Sequence, residues 1–339
     1  MPVSALVFPE IDPVLIEIGP LAIRWYALSY IAALLFGWWY LRYLLSLDRL
    51  WPTRHLDALP RVGFKGRYTE AERKRHGVAP PVQPLQVDDF LVWVTLGVII
   101  GGRLGSILFY DLLYCGLAGD GHGLCGAGRG PDIYLEAPWR IFAVWQGGMS
   151  FHGGLIGVIL ALVLFARRNG IDLVRLGDLL AVATPVGIAL VRCANFINAE
   201  LWGKVTTAPW GVIFCNEVVR RTHGGGCPAG LEPRHPVQLY EAATEGLLLF
   251  AVLFYLTHRT PLLRRPGLAI GVFLTGYSLA RTFSEFFKDS GTNILGPFTM
   301  GMLLSIPMWA AGAFFLWYGL RARPDAAARD PSSARARQP

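Results

Sequence analysis

Seven stretches of this 339-residue chain are apolar over the span of about 20 residues that an α-helix needs to cross a bilayer. They lie near 21–44, 89–110, 148–166, 176–196, 241–257, 268–287 and 298–319. Inside hydrocarbon every backbone N–H and C=O must be satisfied within the protein, which leaves helices or closed barrels. The alternating pattern of a membrane barrel is absent. The expected fold is therefore an all-α membrane protein, a polytopic helical bundle of about seven transmembrane helices with a small head segment outside the membrane. Only 16% of residues are charged, against about 25% in an ordinary soluble domain. The opening "MPVSALVFPEIDPVLIEIG" has no basic head before a short apolar core, so the first span is expected to be retained.

Lysine and arginine divide unevenly between the loops. The loop after span one (42–88), the loops after spans three and five and the tail from 320 together hold twenty; the loops of the other side hold seven. Basic loops stay cytoplasmic, which predicts the amino terminus outside and the carboxyl terminus inside. The net charge of +7 is then mostly a topology signal. No basic domain laced with aromatic residues is present, so no nucleic-acid partner is expected. Cys115 with Cys125, and Cys215 with Cys227, share outer loops and are candidates for two disulfides on the oxidising side.

One membrane domain is expected over 1–320. Within it, 53–86 forms a basic, proline-containing cytoplasmic insertion, and 198–240 forms an external head with turn signals and a short hairpin around "WGVIFC". The tail 321–339 has the composition of a disordered segment. No repeat of fixed period is evident, which removes support for a solenoid or an inverted-repeat transporter.

Placing the polar residues by depth under this topology brings five spans to one level just below the outer interface. Span one contributes Arg24, Tyr26 and Tyr30; span two Arg103; span three His152; span four Arg192 and Asn195; span six Arg281 and Glu285. An ionisable group at membrane depth costs roughly 2.5–3.5 kcal/mol on insertion scales and marks function by default. Simple pairing competes with that reading. Arg281 and Glu285 stand four apart on one helical face, and Arg192 can reach Glu200 across a helix end. Yet four in-span arginines face few in-span acids, the clearest other one being Asp178 near the inner end of span four. That excess of positive charge points to an anionic partner, and guanidinium forks suit phosphate oxygens.

The glycines of "QGGMSFHGGLIG" (146–157) include a small-xxx-small pair, Gly153 and Gly157, whose ordinary use is close helix packing. His152 beside them is commonly just a satisfied ring, but at this level it is also a candidate proton acceptor. "RHPVQLYEA" (234–242) sets His235, Gln238, Tyr240 and Glu241 at the outer start of span five, where Tyr240 reads as an interface anchor. No HExxH, CxxC pair or GxSxG elbow occurs. Neither a metal nor a cofactor is expected.

At this point the chain resembles a known family, the prolipoprotein diacylglyceryl transferases. The likeness is carried by "FPEIDPVLIEIGPLAIRWYALSY" (8–30), "GGRLGSILFYDL" (101–112), "WQGGMSFHGGLIGV" (145–158), "RCANFINAELWG" (192–203), "RHPVQLYEA" (234–242), "GYSLARTFSEFFK" (276–288) and "MGMLLSIPM" (300–308). Val191, Ala199 and Lys288 depart from the residues common in the family, where glycine, glycine and arginine are usual. The resemblance implies a multi-pass protein of the bacterial inner membrane. It implies transfer of the diacylglyceryl group of phosphatidylglycerol to the lipobox cysteine of a preprolipoprotein signal peptide, forming a thioether and releasing glycerol phosphate. His152, Arg192, Arg281 and Tyr26 become the expected catalytic residues. Asn195, Asn198, Glu200, Gly203, Arg103, Tyr277, Glu285, Gly153 and Gly154 become the expected substrate contacts.

The chemistry suits these residue types. A neutral thiol is a weak nucleophile with a reference pKa near 8.5, so His152 is expected to take its proton. Arg192 and Arg281 would receive the departing phosphate, with Glu200 and Glu285 orienting the guanidiniums and Tyr26 and Asn195 donating to the headgroup. An anion transporter would need a polar path to the inner face, a scaffold leaves the convergence unexplained, and a CDP-alcohol phosphotransferase would need an aspartate-rich motif that is missing.

Overall fold

The computed structural model describes residues 5–19, 21–51, 80–115, 132–143, 148–289, 293–295 and 298–322. Most of the basic insertion, Cys125 and the tail from 323 lie outside the described residues. In chain order the elements are β1 (Leu6–Val7), β2 (Val14–Ile18), β3 (Leu21–Arg24), α1 (Trp25–Leu45), α2 (Pro84–Gly105), α3 (Phe151–Asn169), α4 (Leu173–Ile197), β4 (Val212–Ile213), α5 (Val237–Arg259), α6 (Leu268–Glu285), β5 (Asn293–Leu295), β6 (Phe298–Thr299) and α7 (Met300–Arg321).

Six of these helices, all but α6, are long and apolar enough to cross a membrane. The seventh expected span is helical, but its second half carries Tyr277, Ser278, Arg281, Thr282, Ser284 and Glu285, which lower its apolarity. Two boundaries move. Residues 21–24 are strand rather than helix: Val14–Ile18 and Leu21–Arg24 form an antiparallel hairpin ahead of α1. The second span starts at Pro84, where Gln83 and Gln86 form a reciprocal capping box and proline sits in the first turn.

The chain forms two compact units, one of residues 1–80 with 177–339 and the other of 81–176. In the second unit α2 and α3 pack through glycines. A Cβ on Gly153 would lie 2.3 Å from the Gly101 carbonyl oxygen and 2.6 Å from the Gly105 Cα; one on Gly157 would lie 2.1 Å from the Gly97 oxygen. Only hydrogen fits there, so the two backbones touch directly. Arg103 is buried and donates to the carbonyls of Arg140, Ile141 (3.1 Å) and Gly148 (3.2 Å), fastening the following loop to α2. Cys115 is disulfide-bonded.

In the first unit Asp178 of α4 accepts from the Gly267 (2.7 Å) and Ile270 (3.0 Å) N–H groups and so caps α6. Gly271 and Gly319 let α6 and α7 approach to backbone contact. The head has its own core, in which Phe8, Ala199, Val212, Phe214, Val219 and Ala229 are buried with Phe196 and Trp202 against them. Its strand β4 does not form the expected local hairpin: it pairs in parallel with β1 and bridges to Arg234. The amino-terminal segment is thus part of the head, which the sequence reading began only at 198. Cys215 and Cys227 are bonded, closing the second expected disulfide.

Candidate functional site

The polar centre of the first unit is built where α4 meets α5. Gly246 allows it: a Cβ there would sit 2.5–2.9 Å from Ala189 Cβ, Cα and N. Arg192 lies one turn beyond Ala189 on α4, and Glu245 immediately precedes Gly246, so the close approach sets guanidinium against carboxylate. Residues Ala242–Leu248 are wound as a π-helix, a departure that occurs often at functional sites.

Arg192 reaches Glu241 at 3.1 Å and Glu245 at 3.3 Å. Arg281 of α6 pairs with Glu241, with Glu245 at 3.5 Å and with Glu285 at 2.8 Å. Lys288 adds a third cation, 3.5 Å from Glu241 and 4.0 Å from Glu285. Glu285 also accepts from the Thr299 hydroxyl at 2.7 Å. Arg192, Arg281 and Glu285 therefore gather as expected. The expected excess of positive charge does not appear: these three cations face three carboxylates, because Glu241 and Glu245 supply acids that the sequence reading did not count. Position rather than number gives the cluster its polarity. The side chains of Arg192, Arg281 and Lys288 keep 17, 16 and 14% exposure, whereas Glu241, Glu245 and Glu285 keep 0, 0 and 2%.

A second polar group adjoins α4. Buried Asn195 donates to Glu200 at 2.7 Å and to the Tyr26 hydroxyl at 3.4 Å; Asn198 donates to Glu200 at 3.5 Å. Glu200 is thus tied to the two asparagines, while the described carboxylate partners of Arg192 are Glu241 and Glu245. The turn carrying Glu200 is strained, with Ala199 at φ 52° and Leu201 at φ 58°, values that favour glycine. Gln238, fully buried, donates to the Glu200 carbonyl. Tyr30 hydrogen-bonds Tyr26, and Tyr277 faces the charges of Glu245, Arg281, Arg192 and Glu241.

Gly203 sits where the head meets α5. A Cβ there would lie 2.6–2.7 Å from Phe287 O, Val237 Cγ2 and His235 Cβ, so packing alone accounts for glycine. His235 is next to it, its Nδ1 3.1 Å from the Tyr240 hydroxyl; burial lowers its pKa below the ordinary value. Burial also lowers Lys288, opposed by Glu241.

His152, Gly153, Gly154 and Arg103 belong to the second unit. His152 is exposed in the first turn of α3, whose Ser150 cap accepts from the Gly153 N–H. Gly154 has space: a Cβ there would meet nothing closer than 3.8 Å.

Gln238, Glu241, Glu245, Lys288 and Thr299 are the residues that sequence reasoning did not assign to the site. For the first three a signal exists in "HPVQLYEAATEG". The positions are i, i+3 and i+7, a polar stripe on one face at the start of an apolar helix.

The family described as Prolipoprotein diacylglyceryl transferase matches residues 13–64 and 62–318. The phosphatidylglycerol--prolipoprotein diacylglyceryl transferase of Phenylobacterium zucineum (strain HLK1) is 47% identical over 317 residues, covering 93% of this chain and 94% of that one. That of Caulobacter sp. (strain K31) is 45% identical over 325 residues, covering 93% and 95%. That of Brucella canis is 42% identical over 326 residues, covering 95% and 96%. The chain belongs to the prolipoprotein diacylglyceryl transferase family, and is a multi-pass membrane transferase.

Proposed function

We propose that this transferase moves the diacylglyceryl group of phosphatidylglycerol onto the lipobox cysteine of a preprolipoprotein signal peptide, with the Arg192–Arg281 cluster holding the phosphate. The observation that carries the reading is the front-to-back order of that cluster: its cations are partly open and its carboxylates are sealed behind them. A guanidinium has five N–H donors, so pairing with Glu241, Glu245 and Glu285 fixes its plane without using every donor. The carboxylates orient, and the remaining N–H groups stay available for phosphate oxygens.

A thioether to a glyceryl carbon requires an S–C bond to form while the C–O bond to phosphate breaks. The electron pair leaves with the phosphate as glycerol phosphate, and donors already aimed at that oxygen stabilise the developing charge without reorganising. The thiol proton is assigned to His152. Tyr26, Asn195, Asn198 and Tyr277 contribute polar contacts to the headgroup through the Glu200 group and the rim of the cluster. Gly153 is assigned to helix packing, and so is Gly203. Arg103 serves mainly to hold its loop. Gly154 is left as the glycine with room beside it. The protein lies in the bacterial inner membrane with its amino terminus outside, so the cluster opens toward the periplasm, where a signal-peptide cysteine arrives.

The test is thioether formation in vesicles containing phosphatidylglycerol and a lipobox peptide. Arg192→Ala and Arg281→Ala abolish it; Arg281→Lys, which keeps the charge and loses the fork, lowers kcat by at least about tenfold. Full turnover by Arg281→Lys and Arg281→Ala removes the phosphate role. A His152→Gln protein with an unchanged pH profile removes the imidazole as base.

A further inference from the structure

At the far end of α5, about 25 Å along the helix from Glu241 at 1.5 Å per residue, a second basic cluster surrounds a cavity of about 360 Å³. It is lined by Arg49, His258, Arg259 and Arg264, with Leu50 and Leu263 among its apolar walls. Among the described residues lining it there is no carboxylate. Asp48, the acid next in sequence to Arg49, is buried with interactions of its own.

The cationic walls are held in place by the chain itself. Arg49 donates Nη1 to the His258 carbonyl at 2.8 Å, and its Nη2 lies 2.9 Å from His258 Nδ1. A guanidinium can only donate, so Nδ1 accepts and the ring proton sits on Nε2. Arg264 donates to the Arg49 carbonyl. Phe254 packs on the imidazole with centroids 4.2 Å apart, which fixes its plane. Burial lowers the pKa of Arg49, opposed by Tyr43 and reinforced by the nearby positive charge of Arg259. Like charges gathered round one cavity, two of them on the hydrogen-bonded side chains of Arg49 and Arg264, favour an anion and lower the conformational entropy its binding costs. The place is the end of a membrane-crossing helix, where lipid phosphates lie, and the apolar walls suit the glyceryl region below a headgroup.

We propose that this cavity is a second phosphate site, distinct from the Arg192–Arg281 cluster and at the opposite membrane face, which holds the phosphate of an anionic lipid headgroup. Free inorganic phosphate shares the chemistry. The proposal does not depend on the transfer reaction, since binding is its readout.

The experiment is native mass spectrometry of the full chain in non-ionic detergent, titrated with phosphatidylglycerol or with phosphatidylcholine, alongside the Arg259→Gln and Arg264→Lys variants. Arg259 is exposed, so its replacement leaves the fold and thioether formation intact. The wild type is expected to retain one more phosphatidylglycerol than Arg259→Gln, with affinity at that site falling on the order of tenfold, and Arg264→Lys weakening it in the same direction. Phosphatidylcholine retention is expected to be equal in all three. Competition by millimolar inorganic phosphate assigns the site to the free ion as well as to lipid; resistance to it assigns the site to the lipid alone. Equal phosphatidylglycerol retention by wild type and both variants, with transfer activity preserved, overturns the proposal and leaves the Arg192–Arg281 reading untouched.

Discussion

Gly153 and Gly154 are neighbours in one helix and offer a paired test of how α2 and α3 are held. Alanine at 153 places a methyl 2.3 Å from Gly101 O, 2.6 Å from Gly105 Cα and 3.0 Å from Gly105 N. All three are backbone atoms, so no side chain can swing aside. Relief requires the helices to part by about 1 Å, since a carbon–oxygen contact settles near 3.3 Å. Parting loosens the whole seam at once, including the Gly97–Gly157 contact, and a gap of that size forfeits a quarter to a half of each contact energy. Overpacking of this kind costs about 1–3 kcal/mol, and the seam places Gly153→Ala at the upper end. Alanine's better helix propensity returns up to about 1 kcal/mol, for a net loss of about 2 kcal/mol. At Gly154 the nearest atom is 3.8 Å away, so only the propensity gain applies. The two variants should differ by about 3 kcal/mol, more than a hundredfold in the folding equilibrium. The measurement is reversible unfolding in mixed micelles, with transfer activity read in parallel. Wild-type stability for Gly153→Ala, or an equal loss for both variants, refutes the packing argument. A stable Gly154→Ala protein that has lost activity locates ligand space at that glycine.

Glu245→Gln removes one of three carboxylates facing three cations and should cost about 3–5 kcal/mol, the usual penalty for breaking a buried pair; unchanged thermal stability would show that this carboxyl carries no charge in the fold. His235 provides a pH signature. Its folded pKa is lowered by burial, so below the ordinary value of about 6.5 the unfolded chain takes up a proton that the folded chain refuses. Stability contributed by the neutral ring is complete above about pH 6.5 and is lost as pH falls below it. His235→Gln should flatten the stability profile on the acid side of that value, and an unchanged slope rejects the assignment.

The helices were legible because burial in lipid demands apolarity over a fixed length, and only α6 dilutes that signal, with the polar residues that build the site. Boundaries were less legible. Leu21–Arg24 reads as part of a span because an apolar run does not distinguish strand from helix; the Gln83–Gln86 box before the second span was visible but lay in a polar stretch. The pairing of β1 with β4 joins residues some 200 positions apart, and no local pattern encodes it. Ala199 is instructive. It departs from the glycine usual in the family, and its φ of 52° supplies the physical reason for that glycine, which sequence comparison by itself does not. Arginines were easy to rank as unusual inside a membrane, whereas Glu241 and Glu245 were masked by their place at the start of an apolar helix and by the nearer partners that spacing offered, Glu285 and Glu200.

That omission changes the physics of the site more than its membership. Two unpaired arginines within the spans, Arg192 and Arg281, would together cost roughly 5–7 kcal/mol on insertion scales, a large share of the stability of a typical fold. A cluster of zero formal charge avoids this cost, and one might expect it to lose its pull on an anion as well. The proposed phosphate role does not require net charge, because the interaction falls with distance and with dielectric. Under the proposed phosphate role, an arriving phosphate would meet the guanidiniums first and the carboxylates one layer behind, so attraction would exceed repulsion even though the charges cancel in sum. The same layering keeps the donors pointed outward when the site is empty. In that proposal specificity would follow from planarity, since two guanidiniums locked by Glu241, Glu245 and Glu285 present fixed forks that match phosphate oxygens, whereas three mobile lysines of equal charge would not.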